Sequence, residues 1–152
     1  MSLKWTAQKS VFLSRVLVKV VMALCIALFF CVPILADFCQ VLFYEEPKYI
    51  YTIIVITAYA CLTLFLGAVL FLNGILYRLN KQEVFVKKNV SAIRGISWCC
   101  FGICAFLAIL GYWRHTAFLI AFIAGFFGLI FRVLKNVFQQ AVELKEENDY
   151  TI

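Results

Sequence analysis

The sequence predicts an all-α fold: a four-helix transmembrane bundle, up-down-up-down, with both termini cytoplasmic. Composition is the first reason. The 152 residues are 65 % hydrophobic and 14 % charged, with a mean hydropathy of +0.97, against about 45–50 % and about 25 % in soluble domains. The second is segmentation. Apolar residues gather into four stretches, 16–35, 50–72, 96–113 and 117–138, each close to the ~20 helical residues that cross ~30 Å of hydrocarbon. The third is charge. Of the 14 Lys and Arg, all but Lys48 and Arg114 fall at ends that the alternation of spans places on one side. Basic residues mark the cytoplasmic side.

Taken in order, residues 1–14 form a short lead. Leu3, Trp5, Val11, Phe12 and Leu13 alternate with Lys4 and Lys9, a pattern suited to the headgroup layer. Span one follows. Ile34-Leu35-Ala36 before Asp37 resembles a cleavage signature, but its apolar run outlasts the ~7–15 residues of a processed signal, so the segment is expected to remain as a span. Pro33 predicts a kink or helix exit there. The outer loop, 36–49, is small and acidic, and Tyr44, Tyr49 and Tyr51 make an interfacial aromatic belt.

Span two carries Thr52, Thr57 and Thr63, whose hydroxyls can bond within or between helices, and Asn73-Gly74 marks its expected end. The cytoplasmic loop, 78–95, reads as a turn and short helix with Val90, Ile93 and Ile96 or Ser97 on one face. Arg114-His115-Thr116 forms a tight outer turn that makes spans three and four antiparallel neighbours, with Thr116 as N-cap. Ala117, Ala121 and Gly125 recur at steps of four, beside Ala124 and Gly128. Such small residues admit close helix approach, either within the chain or as a homodimer face. The last helix is expected to continue into an acidic tail, 139–152. The whole chain is one integral membrane domain, with no room for a second soluble one.

Chemistry is sparse. The spans contain no Asp, Glu or His, and Lys19, Arg132 and Lys135 lie near enough to their ends to snorkel. There is no HExxH, GxSxG or phosphate-binding glycine loop. No enzyme, ion-coupled transporter, catalytic residue or cofactor is expected. Seven cysteines form no CxxC pair, and with the single His115 they do not assemble a zinc set. They read as small apolar residues. The net charge of +6 is a basic face against an anionic leaflet rather than a nucleic-acid surface. One polar feature remains. The loop has five basic residues and Glu83, while the tail has four acids against Lys145. Both lie on one face, so the tail either stays solvated or docks reversibly on the loop.

Two segments carry a resemblance. The first is Asn73-Gly74-Ile75-Leu76-Tyr77-Arg78-Leu79, then Val84-Phe85, Asn89 and Ile93-Arg94-Gly95-Ile96. The second is the ending Leu144-Lys145-Glu146-Glu147-Asn148-Asp149-Tyr150-Thr151-Ile152, with Tyr150 where leucine is usual. Together they resemble a bacterial membrane family, domain of unknown function 2975. The resemblance implies a small four-helix protein of the bacterial cytoplasmic membrane, encoded beside a helix-turn-helix regulator, and it defines no catalytic residues. The expected partner surface is Phe85, Asn89 and Arg94 with Glu146, Glu147, Asn148 and Asp149. The expected function is regulatory or sensory, through that regulator. The alternative is an immunity or small-molecule efflux component acting within the membrane.

Overall fold

With no water in the bilayer core, a spanning segment must satisfy its backbone internally, and this chain does so with helices. The computed structural model describes residues 2–42 and 48–150, with side chains over 11–38 and 49–150. The helices are α1 (Ser2–Leu42), α2 (Lys48–Asn80), α3 (Lys87–Gly111) and α4 (His115–Tyr150), and each is long and apolar enough to cross a membrane. Side-chain placement is that of a protein dissolved in lipid. Phe30, Leu119 and Phe122 point outward, while the fully buried apolar residues are small or β-branched.

Consecutive helices pack antiparallel. Along α1 and α2, Arg15 lies beside Tyr77 and Phe29 beside Tyr59. Between α2 and α3 the contact depends on glycine. A Cβ at Gly95 would fall 2.7 Å from the Phe71 ring, and one at Gly102 would fall 2.8 Å from Leu64. Along α3 and α4, the Ser97 hydroxyl donates to the Gly128 carbonyl at 2.9 Å, and Gly125 sits on Cys104. The α4 seam is heptad-spaced: Ala121, Gly128 and Val142 are buried, with Ala117 on the same side. In α1, Val18, Cys25 and Val32 repeat the seven-residue step against α2.

The bundle is not a closed ring. Among the described residues, no Cα of α1 lies within 8 Å of one in α3 or α4, and α2 does not reach α4. The helices stand as a curved row around a shared apolar cleft of about 540 Å³.

Several local expectations are corrected. Pro33 lies inside α1, which continues to Leu42, so of the kink or exit expected there the exit does not occur. A proline removes the hydrogen bond to the carbonyl four residues back, here that of Phe29, and the Tyr59 hydroxyl from α2 donates to that oxygen at 3.4 Å. The freed group is answered from the neighbouring helix, so α1 need not stop. Asn73-Gly74, the expected end of the second span, lies within α2, which runs on as helix to Asn80. There is no separate loop helix, because 87–95 is the start of α3, and Val90, Ile93, Ile96 and Ser97 are all buried on one face. Thr116 lies in the first turn of α4 rather than capping it. Arg114 holds the cap position, its carbonyl accepting the Ala117 N–H at 2.9 Å. Thr63 bonds back to its own helix at Tyr59. Side chains of the basic lead before Val11, Cys39 and the loop tyrosine Tyr44 lie outside the described residues.

Candidate functional site

The polar architecture of the chain is concentrated at the end where α2 meets α3 and α4 emerges from its apolar stretch. Helix α2 stops by a Schellman turn. Glu83 N–H bonds the Arg78 carbonyl and Gln82 N–H the Leu79 carbonyl, both at 3.0 Å, the two bonds that define this terminus. Gln82 takes the left-handed position, with φ 62°, where glycine is commoner and an L side chain costs about 1–2 kcal/mol. The chain then enters α3 through Val86, which has extended dihedrals and offers no side-chain cap.

Asn89 takes over the organising role. It is fully buried. Its Nδ2 donates to the carbonyls of Glu83 at 3.0 Å and Val84 at 2.8 Å, and its Oδ1 accepts from Arg78 Nη1 at 3.0 Å. One side chain thereby ties the end of α2, the connector and the first turn of α3 together. Lys81 and Arg15 both stand over the face of Tyr77, at 4.8 and 5.7 Å, and Arg132 stands over Trp98 at 5.7 Å. Each is an interfacial cation on an aromatic ring.

The tail is the last part of α4, and it lies against this loop. Lys87 Nζ and Glu146 Oε1 are 3.0 Å apart, the Phe85 and Phe138 rings are 6.1 Å apart, and Val142 is buried beneath them. Lys87 belongs to the first turn of α3, ahead of the apolar stretch. Hydrogen bonding to the Glu146 carboxylate, and its charge, raise the Lys87 pKa above the usual lysine value. Both side chains are largely exposed, at 77 % and 46 %, so this pair is screened and of little weight. The apolar seat of Val142 and Phe138 carries the contact. Two hollows flank it. One, of about 500 Å³, is lined by Phe85, Lys88, Lys145 and Asp149 among others. The other, of about 230 Å³, lies between Arg94, Ser91, Gln139 and Glu143.

The seven expected surface residues therefore divide. Phe85, Arg94, Glu147, Asn148 and Asp149 are exposed, and Glu146 keeps much of its side chain exposed while paired with Lys87. Asn89 is enclosed and shapes the loop from within. The stripe Ala117, Ala121 and Gly125, one reading of which was a homodimer face, is spent on α3. The two alanines are buried and a Cβ at Gly125 would lie 3.1 Å from Cys104 Sγ. Arg78, Gln82, Phe138 and Val142 were not singled out from the sequence. The seven-residue step from Ala121 through Gly128 and Lys135 to Val142 is the signal that identifies the last of them.

The family model described as "Protein of unknown function (DUF2975)" matches residues 41–152, which takes in α2, α3, α4 and the whole of this polar end. The chain belongs to that family. Its match spans the Asn73–Ile96 segment and the Leu144–Ile152 ending on which the resemblance rested. No curated protein and no solved structure matches the chain.

Proposed function

We propose that this member of the family is a non-enzymatic, multi-pass protein of the bacterial cytoplasmic membrane that binds a cytoplasmic helix-turn-helix regulator. In this reading the loop and both termini face the cytoplasm, and the docked loop and tail form the binding surface. The observation that carries it is the length and seating of α4. Its 36 residues span about 54 Å at 1.5 Å per residue, against about 30 Å of hydrocarbon. The excess projects as a helix seated by Val142 on the loop. Phe85, Arg94, Glu147, Asn148 and Asp149 stay exposed around that seat, and an aromatic anchor ringed by charge is the usual composition of a recognition surface.

The test is co-purification from detergent with the helix-turn-helix protein that this reading expects to be encoded beside it. The full chain retains that protein and a chain lacking residues 143–152 releases it while still partitioning into membranes. Equal retention by both removes the tail from the interface and the reading with it. The alternative, an immunity or efflux component, is favoured by one observation, the apolar cleft lined by all four helices. It predicts protection against a toxic peptide or cation that survives the same deletion.

A further inference from the structure

The cleft lies within the spanning part of the chain, away from the loop and tail. Its wall is drawn from every helix, including Val18 of α1, Val69 of α2, Ile96 and Cys100 of α3, and Ala124 and Phe127 of α4. No lining side chain has a charge or a hydrogen-bonding nitrogen or oxygen. It opens along one side: among the described residues no Cα of α1 lies within 8 Å of one in α4. Leu17 and Ile120, one on each of those helices, line the cleft and are 63 % and 56 % exposed. They form lips that pass directly into the lipid-facing surface.

We propose that this cleft is a binding site for one acyl chain of a membrane phospholipid, entering sideways between α1 and α4. Continuity with the lipid-facing surface identifies the occupant. Water gains no partner in a wall with no polar group and does not fill such a space, whereas hydrocarbon arrives from the surrounding bilayer. Dimensions select one chain. From Ile120 to Phe131 the α4 wall runs about 16 Å at 1.5 Å per residue. A methylene is close in size to a water molecule, whose share of liquid volume is about 30 Å³, so 540 Å³ accommodates about 18 such groups. That is one membrane chain of ordinary length, and not two. A chain seated here touches four helices, where a chain on the outer surface touches one or two, and dispersion contacts accumulate with each wall added. The seated lipid therefore leaves more slowly than its neighbours. The proposal is independent of whether the tail binds a regulator.

The experiment is native mass spectrometry of protein reconstituted in phosphatidylglycerol and phosphatidylethanolamine vesicles, then extracted into mild detergent and washed. The wild type retains one phospholipid per chain. Ala124→Phe fills the cleft from within, and Leu17→Trp and Ile120→Trp crowd its lips. Each lowers the lipid-bound fraction tenfold or more. Phe122→Trp, on the outer face of α4, leaves that fraction unchanged. A wild type without a retained lipid overturns the proposal. So does a lipid retained equally by Leu17→Trp, Ile120→Trp and Phe122→Trp, since it must then sit elsewhere. Should Ala124→Phe fail to extract as a single species, the two exposed lip variants decide the matter.

Discussion

Replacing Asn89 with alanine removes the one side chain that joins α2, the connector and α3. Its three hydrogen bonds set the magnitude. A neutral bond contributes about 1 kcal/mol net, and one to a charged group about 1.5–3. The Arg78 guanidinium is half-buried, and the Glu83 and Val84 carbonyls lie near water, so the lower ends apply and the loss is about 3 kcal/mol. This penalty falls on the loop, since the spans keep their own contacts. At about 1.4 kcal/mol per factor of ten, the open fraction of the connector rises about a hundredfold. Lys81, Lys87 and Lys88 make the change readable by limited trypsin digestion in detergent, at protease levels where opening equilibrates before cleavage. The expected result is cleavage between residues 81 and 88 about a hundredfold faster in Asn89→Ala. Asn89→Asp keeps the acceptor for Arg78 but sets a carboxylate against two carbonyl oxygens, so it stays at least tenfold faster than wild type. Cleavage of Asn89→Ala within threefold of wild type refutes the assignment, because the loop would then be held by its turn and the tail alone.

Three further outcomes follow from particular contacts. At Gln82, φ 62° tolerates glycine but not a β-branched residue, so Gln82→Val speeds the same cleavage about tenfold and Gln82→Gly does not speed it. The Tyr59 hydroxyl serves the carbonyl that Pro33 frees. Tyr59→Phe should lower detergent stability by about 0.5–1.5 kcal/mol, and by much less in a Pro33→Ala background, a coupling measurable by a double-mutant cycle of unfolding midpoints. Lastly, raising salt from about 0.1 to about 1 M, which shortens the Debye length from about 10 to about 3 Å, should change amide exchange in residues 139–150 less than threefold. Val142→Asn should raise that exchange tenfold or more, and a reversal of the two effects would make Lys87 and Glu146 the holding contact.

The spans were legible because each is a continuous apolar run, and burying or exposing twenty such residues outweighs any local preference. Their ends were less so. Asn73-Gly74 carries a turn signal, yet the backbone of α2 passes through it as helix to Asn80. Pro33 carries a stop signal, yet a tyrosine 26 positions away supplies the missing partner, which no local window contains. The stripe at Ala117, Ala121 and Gly125 announced close packing without naming its partner. The short turn at 112–114 settles that α3 is the near neighbour. Asn89 is the instructive residue of the site. A polar side chain in a basic loop reads as exposed, and only the return of the connector over it makes it fully buried.

The α3–α4 seam runs through two solvents, and its residues change with them. Within the bilayer, lipid tails are as apolar as any side chain, so helices gain by close approach rather than by hiding apolar surface. There the seam uses Ala117, Ala121 and Gly128, with the Ser97 hydroxyl bonded to a carbonyl across it. Past Lys135 the sequence turns polar, and where such a segment meets water burial itself becomes favourable. The seam position is then filled by Val142, with Phe138 against Phe85. The same seven-residue step serves both regimes, so α4 need not bend or break where it leaves the membrane. A displacement of its spanning half against α3 is thereby carried to the tail by one continuous helix. In the proposed reading, that continuity is what would connect the spans to Glu147, Asn148 and Asp149 at the other end.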